Sequence, residues 1–120
     1  MADTISIYLV EQVLLVTIPD NITDTEIVDL LENLSERIVG EAARGVVIDI
    51  ASLEIVDTFV GRVLAQLSSV AGMLGARTYV VGMRPAVAMT LVELDMDLPG
   101  CRMALSLTQA LRELRRDGLA

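Results

Sequence analysis

The chain has 120 residues, 53% of them hydrophobic, which fits one domain with its own core and excludes a disordered protein. It has no histidine and a single cysteine, which excludes histidine-dependent nucleophiles, histidine-based metal sites and an intramolecular disulfide, and which indicates a reducing, cytoplasmic location. The formal net charge of −8 argues against nucleic acid and against an anionic membrane surface as partners.

The N-terminal third of the chain predicts two strands and a helix. Residues 5–10 and 13–18 are β-branched, apolar runs separated by two residues, which predicts a tight β-hairpin. Thr23 and Glu26 have the spacing of a capping box, in which each side chain accepts a hydrogen bond from the other residue's backbone N–H. The helix that follows is expected to close at Gly40. Its predicted apolar stripe consists of Ile27, Leu30, Leu31, Leu34 and Ile38.

The middle of the chain predicts two buried strands with a helix between them. Residues 45–50 and 77–81 form the almost continuous apolar runs that are typical of strands covered on both faces. The intervening helix begins at Asp57-Thr58, and Gly75 follows its end, where glycine is favoured. The predicted core stripe of this helix consists of Val60, Val63, Leu64, Leu67, Val70, Ala71 and Leu74.

The C-terminal third predicts a helix, a short strand and a last helix. Pro85 suits the first position of a helix that continues through residues 86–94. Residues 101–105 predict a short edge strand. Ser106 and Gln109 repeat the spacing of a capping box before the last helix. The apolar stripe of that helix consists of Leu107, Ala110, Leu111 and Leu114.

The predicted order of elements is β-β-α-β-α-β-α-β-α. Strands that alternate with helices require right-handed crossovers and a largely parallel sheet, to which the opening hairpin adds an antiparallel strand. We therefore predict an α/β fold in a single domain over residues 1–120, with a mixed, mostly parallel sheet and helices packed against it. No apolar run approaches the ~20 residues of a membrane-spanning helix, and the N-terminus lacks the basic segment of a signal peptide.

Thr58 is the strongest candidate for a functional residue. It lies at a strand–loop–helix junction next to Asp57, where its hydroxyl could satisfy a backbone donor of the helix. The alternative is that it accepts a phosphoryl group, whose negative charge is tolerated at the positive end of a helix. From Thr58 to Val92 the sequence has three arginines and no acidic residue, so we expect a neutral to mildly basic surface around the acceptor. The helix itself is apolar nearly all round, which indicates either burial or docking to a partner.

Other chemistry has weaker support. Glu93, Asp95 and Asp97 alternate along the chain, but the glycine and glutamate that complete an EF-hand loop are missing. No glycine-rich turn with a lysine is present to hold a phosphate. Asp49 and Asp57 have no evident substrate pocket. We therefore predict no metal, no cofactor and no enzymatic activity, with a small enzyme or ligand-binding module as the minor alternative.

Four segments in order carry a family resemblance: residues 43–50 (ARGVVIDI), 56–59 (VDTF), 75–77 (GAR) and 82–91 (GMRPAVAMTL). Together they resemble a STAS domain, the fold of the anti-sigma-factor antagonists, and more closely the RsbS-type stressosome scaffold proteins. The specific feature is Asp57-Thr58 combined with the Gly-Met-Arg-Pro-Ala-Val-Ala segment.

The resemblance implies a small cytoplasmic scaffold that sequesters an RsbT-type serine/threonine switch kinase. The kinase would use ATP to phosphorylate Thr58 and would then be released, and an RsbX-type phosphatase would reset the system. RsbR-type STAS paralogues would join it in a large complex, in which this chain is also a homo-oligomer. We expect the contacts to partners to come from Asp57, Thr58, Phe59, Arg62 and Arg84.

The chain departs from the RsbS-type pattern at two positions. The acceptor is Thr58 where serine is usual, and Asp95 stands where we would expect glycine to close the third helix. Thr90 coincides with a second acceptor of RsbR-type proteins and is a possible second phosphorylation site. The alternative function is therefore an RsbR-like co-scaffold or a general STAS antagonist that binds an anti-sigma kinase. Against the RsbR type, we expect no N-terminal sensory domain, because the STAS pattern begins within the first ten residues.

Overall fold

The computed structural model describes residues 6–54, 57–96, 98 and 100–117. The predicted order of elements is confirmed, although Ile5, the first residue of the predicted first strand, lies outside the described residues. The strands are β1 (Ser6–Val10), β2 (Val13–Thr17), β3 (Gly45–Asp49), β4 (Arg77–Val81) and β5 (Cys101–Ala104). The helices are α1 (Asp24–Gly40), α2 (Thr58–Met73), α3 (Pro85–Glu93) and α4 (Leu107–Arg116).

The five strands form one sheet in the order β1-β2-β3-β4-β5. β1 pairs antiparallel with β2, with Val10 opposite Val13, and every other neighbouring pair is parallel. Glu11, in the turn between β1 and β2, has a φ of 60°, which lets the chain reverse within two residues. The predicted mixed, mostly parallel sheet is confirmed. The carboxyl ends of β2, β3 and β4 therefore lie along one edge of the sheet, and the loop that leads to α2 starts there.

The sheet separates two hydrophobic cores. On one face, Ile48 of β3 lies in a large core together with Leu34 of α1 and Leu64 of α2, all fully buried. On the other face, Tyr79 of β4 and Leu114 of α4 belong to a smaller core. Each fully buried side chain of this size stabilises the fold by about 1.5–3 kcal/mol. Because α2 is anchored along its length by the large core, its N-terminus has a fixed position relative to the sheet.

The buried face of α2 differs in part from the predicted stripe. Val63, Leu64, Leu67 and Ala71 are buried as predicted, but Leu74 is 39% exposed. Gly61 and Ser68 take part in the buried face, while Val60 and Val70 are only half-buried. Gly61 is buried because Met96 lies over it, so close that a Cβ at Gly61 would clash with the Met96 sulfur. The apolar surface of α2 is therefore partly buried in the core and partly exposed to solvent.

Two of the three predicted helix ends are confirmed. Gly75 and Asp95 follow α2 and α3 with left-handed φ values of 89° and 61°. Gly40 does not play this part, because it is still helical and the left-handed residue after α1 is Ala42, with a φ of 51°. The next residue, Ala43, is buried and donates its backbone N–H to the Ile38 carbonyl at 3.0 Å. This Schellman arrangement places the end of α1 where Ala43 enters the core.

One capping box is confirmed and the other is only half formed. At α1, Glu26 N–H donates to the Thr23 hydroxyl and Thr23 N–H donates to the Glu26 carboxylate, at 3.2 and 2.9 Å. At α4, the Ser106 hydroxyl accepts from Gln109 N–H at 3.2 Å. The Gln109 side chain, however, accepts from Leu105 N–H and not from Ser106 N–H. The prediction of a second reciprocal box is therefore wrong in its second bond.

Candidate functional site

Thr58 is the first residue of α2, and its side chain is exposed. The residue that caps this helix is Asp57, which has an extended backbone and whose carboxylate accepts the N–H of Val60 at 3.1 Å. Among the residues that the structure describes, none forms a hydrogen bond with the Thr58 hydroxyl. Asp57, and not Thr58, is therefore the N-cap of α2. The Thr58 hydroxyl is exposed to solvent and accessible to a modifying enzyme.

The loop from β3 to α2 is fixed at Ala51. The Asp49 carboxylate accepts the Ala51 N–H at 2.9 Å, and the Arg84 guanidinium donates to the Ala51 carbonyl at 3.1 and 2.7 Å. Gly82 has a φ of 80°, and a Cβ there would lie 2.9 Å from both the Ala51 nitrogen and the Asp49 carboxylate. Only glycine suits this close approach of two loops. Arg84, predicted as a partner contact, thus also holds the loop that leads to Thr58.

A concavity of about 260 Å³ adjoins the N-terminus of α2. It combines apolar side chains with the two carboxylates of Asp20 and Asp57, so the expected neutral to mildly basic surface is wrong for this part of the site. The prediction considered only the charges of residues 58–92. It did not include Asp20, which lies in the loop between β2 and α1 and is close to α2 only in the folded chain. The lining residues are Asp20, Asn21, Ile22, Leu53, Asp57, Phe59 and Val60.

The five predicted partner-binding residues fall into three places. Asp57 and Phe59 line the concavity, and Thr58 lies between them in sequence at the start of α2. Arg62 is exposed one helical turn further along α2. Arg84 lies at the N-terminus of α3. Val56, the first residue of the VDTF segment, lies outside the described residues.

Thr90, the possible second acceptor, has a different environment from Thr58. It lies within α3 and is half-buried. Its hydroxyl donates a hydrogen bond to the Ala86 carbonyl at 2.9 Å, as threonine commonly does inside a helix. A kinase would have to break this bond to reach the Thr90 hydroxyl in its present orientation.

The loop between β2 and α1 contributes to the site, although none of its residues was predicted to be functional. Residues 19–21, Pro-Asp-Asn, end the second strand, and Asn21 adopts a φ of 59°. A signal was available, because a polar turn at the carboxyl end of one parallel strand must lie near the corresponding turns of its neighbours. The position of Ala51 could not be predicted in this way, because its hydrogen bonds are made by its backbone N–H and carbonyl and not by its side chain.

The pKa values of Glu11 and Cys101 are shifted by their surroundings. A hydrogen-bonded ion pair with Arg115 lowers the pKa of Glu11. Burial raises the pKa of the Cys101 thiol. Asp97, the third acidic residue of the alternating run, is not described, and the described cysteine and acidic residues form no group of three suited to a metal ion. Within the same part of the chain, no helix is both long and apolar enough to cross a membrane.

Comparison with known proteins gives a consistent picture. The chain matches the model of the STAS domain over residues 4–116. It is similar to a serine-to-glutamate variant of RsbS from Moorella thermoacetica, with 38% identity and a TM-score of 0.81 over 95% of this chain and 97% of that chain. A chain from a structure of the stressosome, described as a signal integration and transduction hub, has 37% identity and a TM-score of 0.79 over 96% of this chain and 100% of that chain.

A curated relative matches over a shorter stretch. The chain is 36% identical over 69 residues to the RsbT co-antagonist protein RsbRA of Bacillus subtilis (strain 168). The match covers 58% of this chain but only 25% of RsbRA, so the chain spans about a quarter of that relative's length.

Proposed function

The chain belongs to the STAS domain family of anti-sigma-factor antagonists, and on this basis we propose that it is a stressosome scaffold that sequesters an RsbT-type serine/threonine kinase. The kinase is released when it phosphorylates Thr58. The observation that carries this proposal is the exposed Thr58 hydroxyl at the start of α2, which has no hydrogen-bond partner among the described residues. The name of the relative RsbRA, an RsbT co-antagonist, supports the choice of kinase.

The position of Thr58 suits phosphoryl transfer. Its Oγ1 attacks the γ-phosphorus of ATP, the bond from that phosphorus to the bridging β,γ-oxygen breaks, and ADP leaves. The hydroxyl proton passes to a base supplied by the kinase. The product carries about 1.5–2 negative charges at the positive end of the α2 dipole, where they are tolerated. Phosphorylation therefore changes the surface of the domain without unfolding it.

The surroundings of Thr58 suit a protein partner. The concavity beside it offers apolar contact at Phe59 and Val60 and negative charge at Asp20 and Asp57. This combination complements a kinase surface that presents apolar and basic side chains. Because the kinase active site must reach the Thr58 hydroxyl, the docking surface lies beside the acceptor.

The release step follows from charge. The part of the kinase that faces Thr58 must hold the triphosphate of ATP, so a phosphate on Thr58 meets like charge whenever nucleotide is bound. The phosphate is also strongly hydrated, and burying it against the partner would remove that water. Losing complementarity at such a contact weakens binding by about 2–5 kcal/mol, which is about 30-fold to several thousand-fold in affinity.

Assembly is the second part of the proposal. The chain joins RsbR-type paralogues and further copies of itself in a large cytoplasmic complex, and an RsbX-type phosphatase removes the phosphate. The similarity to a chain of the stressosome supports this assembly. Exposed apolar side chains at the end of α2 and on α3 also support it, since such patches commonly mark contacts with other proteins. They include Met73, which is 87% exposed, Met89 and Val92.

An RsbR-like co-scaffold is the second candidate, favoured by the match to RsbRA. That function predicts phosphate on Thr90 as well as on Thr58. The environments of the two hydroxyls favour Thr58 alone, since the Thr90 hydroxyl is already hydrogen-bonded to Ala86.

The test is to incubate the full chain with its cognate RsbT-type kinase, ATP and Mg²⁺ and to map the phosphate by mass spectrometry. Thr58→Ala should abolish the modification, and Thr90→Ala, the matched control, should leave it unchanged. Phosphate uptake by Thr58→Ala equal to that of the unsubstituted chain would overturn the assignment. Phosphate on both residues would favour the RsbR-like function.

A further inference from the structure

Arg62 is a charged side chain that pairs with none of the residues that the structure describes. It is the only charged residue of α2, whose sequence is TFVGRVLAQLSSVAGM. It is exposed, and it forms no hydrogen bond or ion pair with any residue that the structure describes. Four other arginines pair with carboxylates: Arg37, Arg77, Arg102 and Arg115. Arg62 is therefore available to a group that is absent from the unmodified chain.

The position of Arg62 relative to Thr58 identifies that group. The two residues stand at positions i and i+4 of one helix, which places their Cβ atoms about 6 Å apart on the same face. Side chains on a helix lean toward its N-terminus, so Arg62 leans toward the turn that holds Thr58. An anion on the N-terminal member of such a pair and a cation on the C-terminal member form the favourable order.

We propose that Arg62 forms an intramolecular ion pair with the phosphate on Thr58 and that phosphorylation thereby withdraws Arg62 from the partner-binding surface. The proposal rests on the proposed phosphorylation of Thr58. The planar guanidinium can donate two N–H groups to phosphate oxygens, which a lysine ammonium does less specifically. Release of the partner then has two causes: a phosphate is added, and the Arg62 contact is lost.

The charged groups near Thr58 leave Arg62 as the cation that can neutralise the phosphate. Asp57 directly precedes Thr58, and its carboxylate is held in place by the N–H of Val60, so it adds negative charge beside the phosphate. Arg84 cannot replace Arg62 without giving up its two hydrogen bonds to the Ala51 carbonyl. Arg62 is thus the cation best placed along α2 to neutralise the phosphate.

The test incorporates phosphothreonine at position 58 during synthesis of the full chain, so that no kinase is needed. The second pKa of the phosphate is followed by phosphorus NMR. A nearby cation favours the dianion, so this pKa should be about 0.3 lower with Arg62 than in Arg62→Gln, the size expected of an exposed i,i+4 ion pair. Arg62→Lys should recover part of the difference, and salt at about 1 M should shrink it.

Arg112→Gln is the matched control. Arg112 is exposed on α4, which packs on the opposite face of the sheet from α2, and its loss removes the same charge. Its substitution should leave the phosphate pKa unchanged. Equal effects of Arg62→Gln and Arg112→Gln, or no effect of Arg62→Gln, would overturn the ion pair. If no kinase phosphorylates Thr58, the proposed function fails while this NMR result remains, so the two failures are distinguishable.

Discussion

The guanidinium of Arg84 donates two hydrogen bonds to the backbone carbonyl of Ala51, which lies 33 positions earlier in the sequence. The bonds join the turn after β4 to the loop between β3 and α2. The N–H of Ala51 is held in turn by Asp49. The start of α2, and with it Thr58, is therefore positioned by contacts between two loops at one edge of the sheet as well as by the core beneath the helix.

Removing the Arg84 side chain should loosen this loop. We expect Arg84→Ala to lower the free energy of unfolding by about 1 kcal/mol, since the guanidinium is charged but exposed to solvent, and the melting temperature by about 4 °C. Faster amide hydrogen exchange at Ala51 should accompany the change. Arg112→Ala, at an exposed arginine on α4 with no ion-pair partner among the described residues, is the control and should melt like the unsubstituted chain. Unchanged exchange at Ala51 in Arg84→Ala would show that the loop is held by other contacts.

Two substitutions of Asp57 separate its cap from its charge. Asp57→Ala removes the oxygen that accepts the Val60 N–H and should destabilise the domain by about 1 kcal/mol in urea unfolding. Asp57→Asn keeps an oxygen at the same place and should unfold nearly as the unsubstituted chain does. If the carboxylate also contacts the kinase, Asp57→Asn should still weaken kinase binding. Equal stability losses in the two variants would mean that the charge, and not the cap, stabilises α2.

Glycine substitutions test the close approach of the two loops. Gly82→Ala combines a left-handed φ of 80° with a Cβ 2.9 Å from the Ala51 nitrogen, so it should destabilise the domain by about 2 kcal/mol or more. Gly72→Ala is the control, because it lies inside α2 with nothing within 4 Å of its added Cβ. It should stabilise the domain by about 0.5–1 kcal/mol in thermal or urea unfolding. A Gly82→Ala variant as stable as the unsubstituted chain would contradict the loop geometry.

The ion pair between Glu11 and Arg115 gives the domain a specific pH dependence. Arg115 lowers the pKa of Glu11 in the folded chain through hydrogen bonds at 2.7 and 3.2 Å. Because the folded-state pKa lies below the unfolded value of about 4.3, the pair contributes stability above that value, and this stability is lost as the pH falls through the folded-state pKa. An NMR titration should show the pKa of Glu11 rising in Arg115→Gln but not in Arg116→Gln. A Glu11 pKa that stays low without Arg115 would rule out the pair as the cause.

The features predicted correctly are those set by neighbours in the sequence. The capping box of Thr23 and Glu26, the left-handed Gly75 and Asp95, and the alternation of strands and helices all follow from local spacing and periodicity. For α2, the sequence allowed capping by the Thr58 hydroxyl, whereas the N-cap is the adjacent Asp57. Sequence spacing alone does not decide between two neighbouring polar residues.

The features that were missed depend on contacts between distant segments. Asp20 lines the concavity beside α2 because two parallel strands end at the same edge of the sheet, and a count of charges along the chain does not include it. Gly40 is the last residue of α1, and Ala42 takes the left-handed conformation in its place, because the burial of Ala43 sets the turn. Arg84 was predicted as a partner contact, and its bonds to Ala51 involve a backbone carbonyl that has no signature in the sequence.

The central claim is that phosphate on Thr58 releases the kinase, and the most direct measurement compares the affinity of the RsbT-type kinase for the unmodified and the fully Thr58-phosphorylated chain. The account predicts binding at least about 30-fold weaker after phosphorylation, mostly through faster dissociation. Thr58→Ala should bind as the unmodified chain does and should keep the kinase when ATP is added. Equal affinity of the kinase for the two forms, with phosphate occupancy complete, would contradict the account.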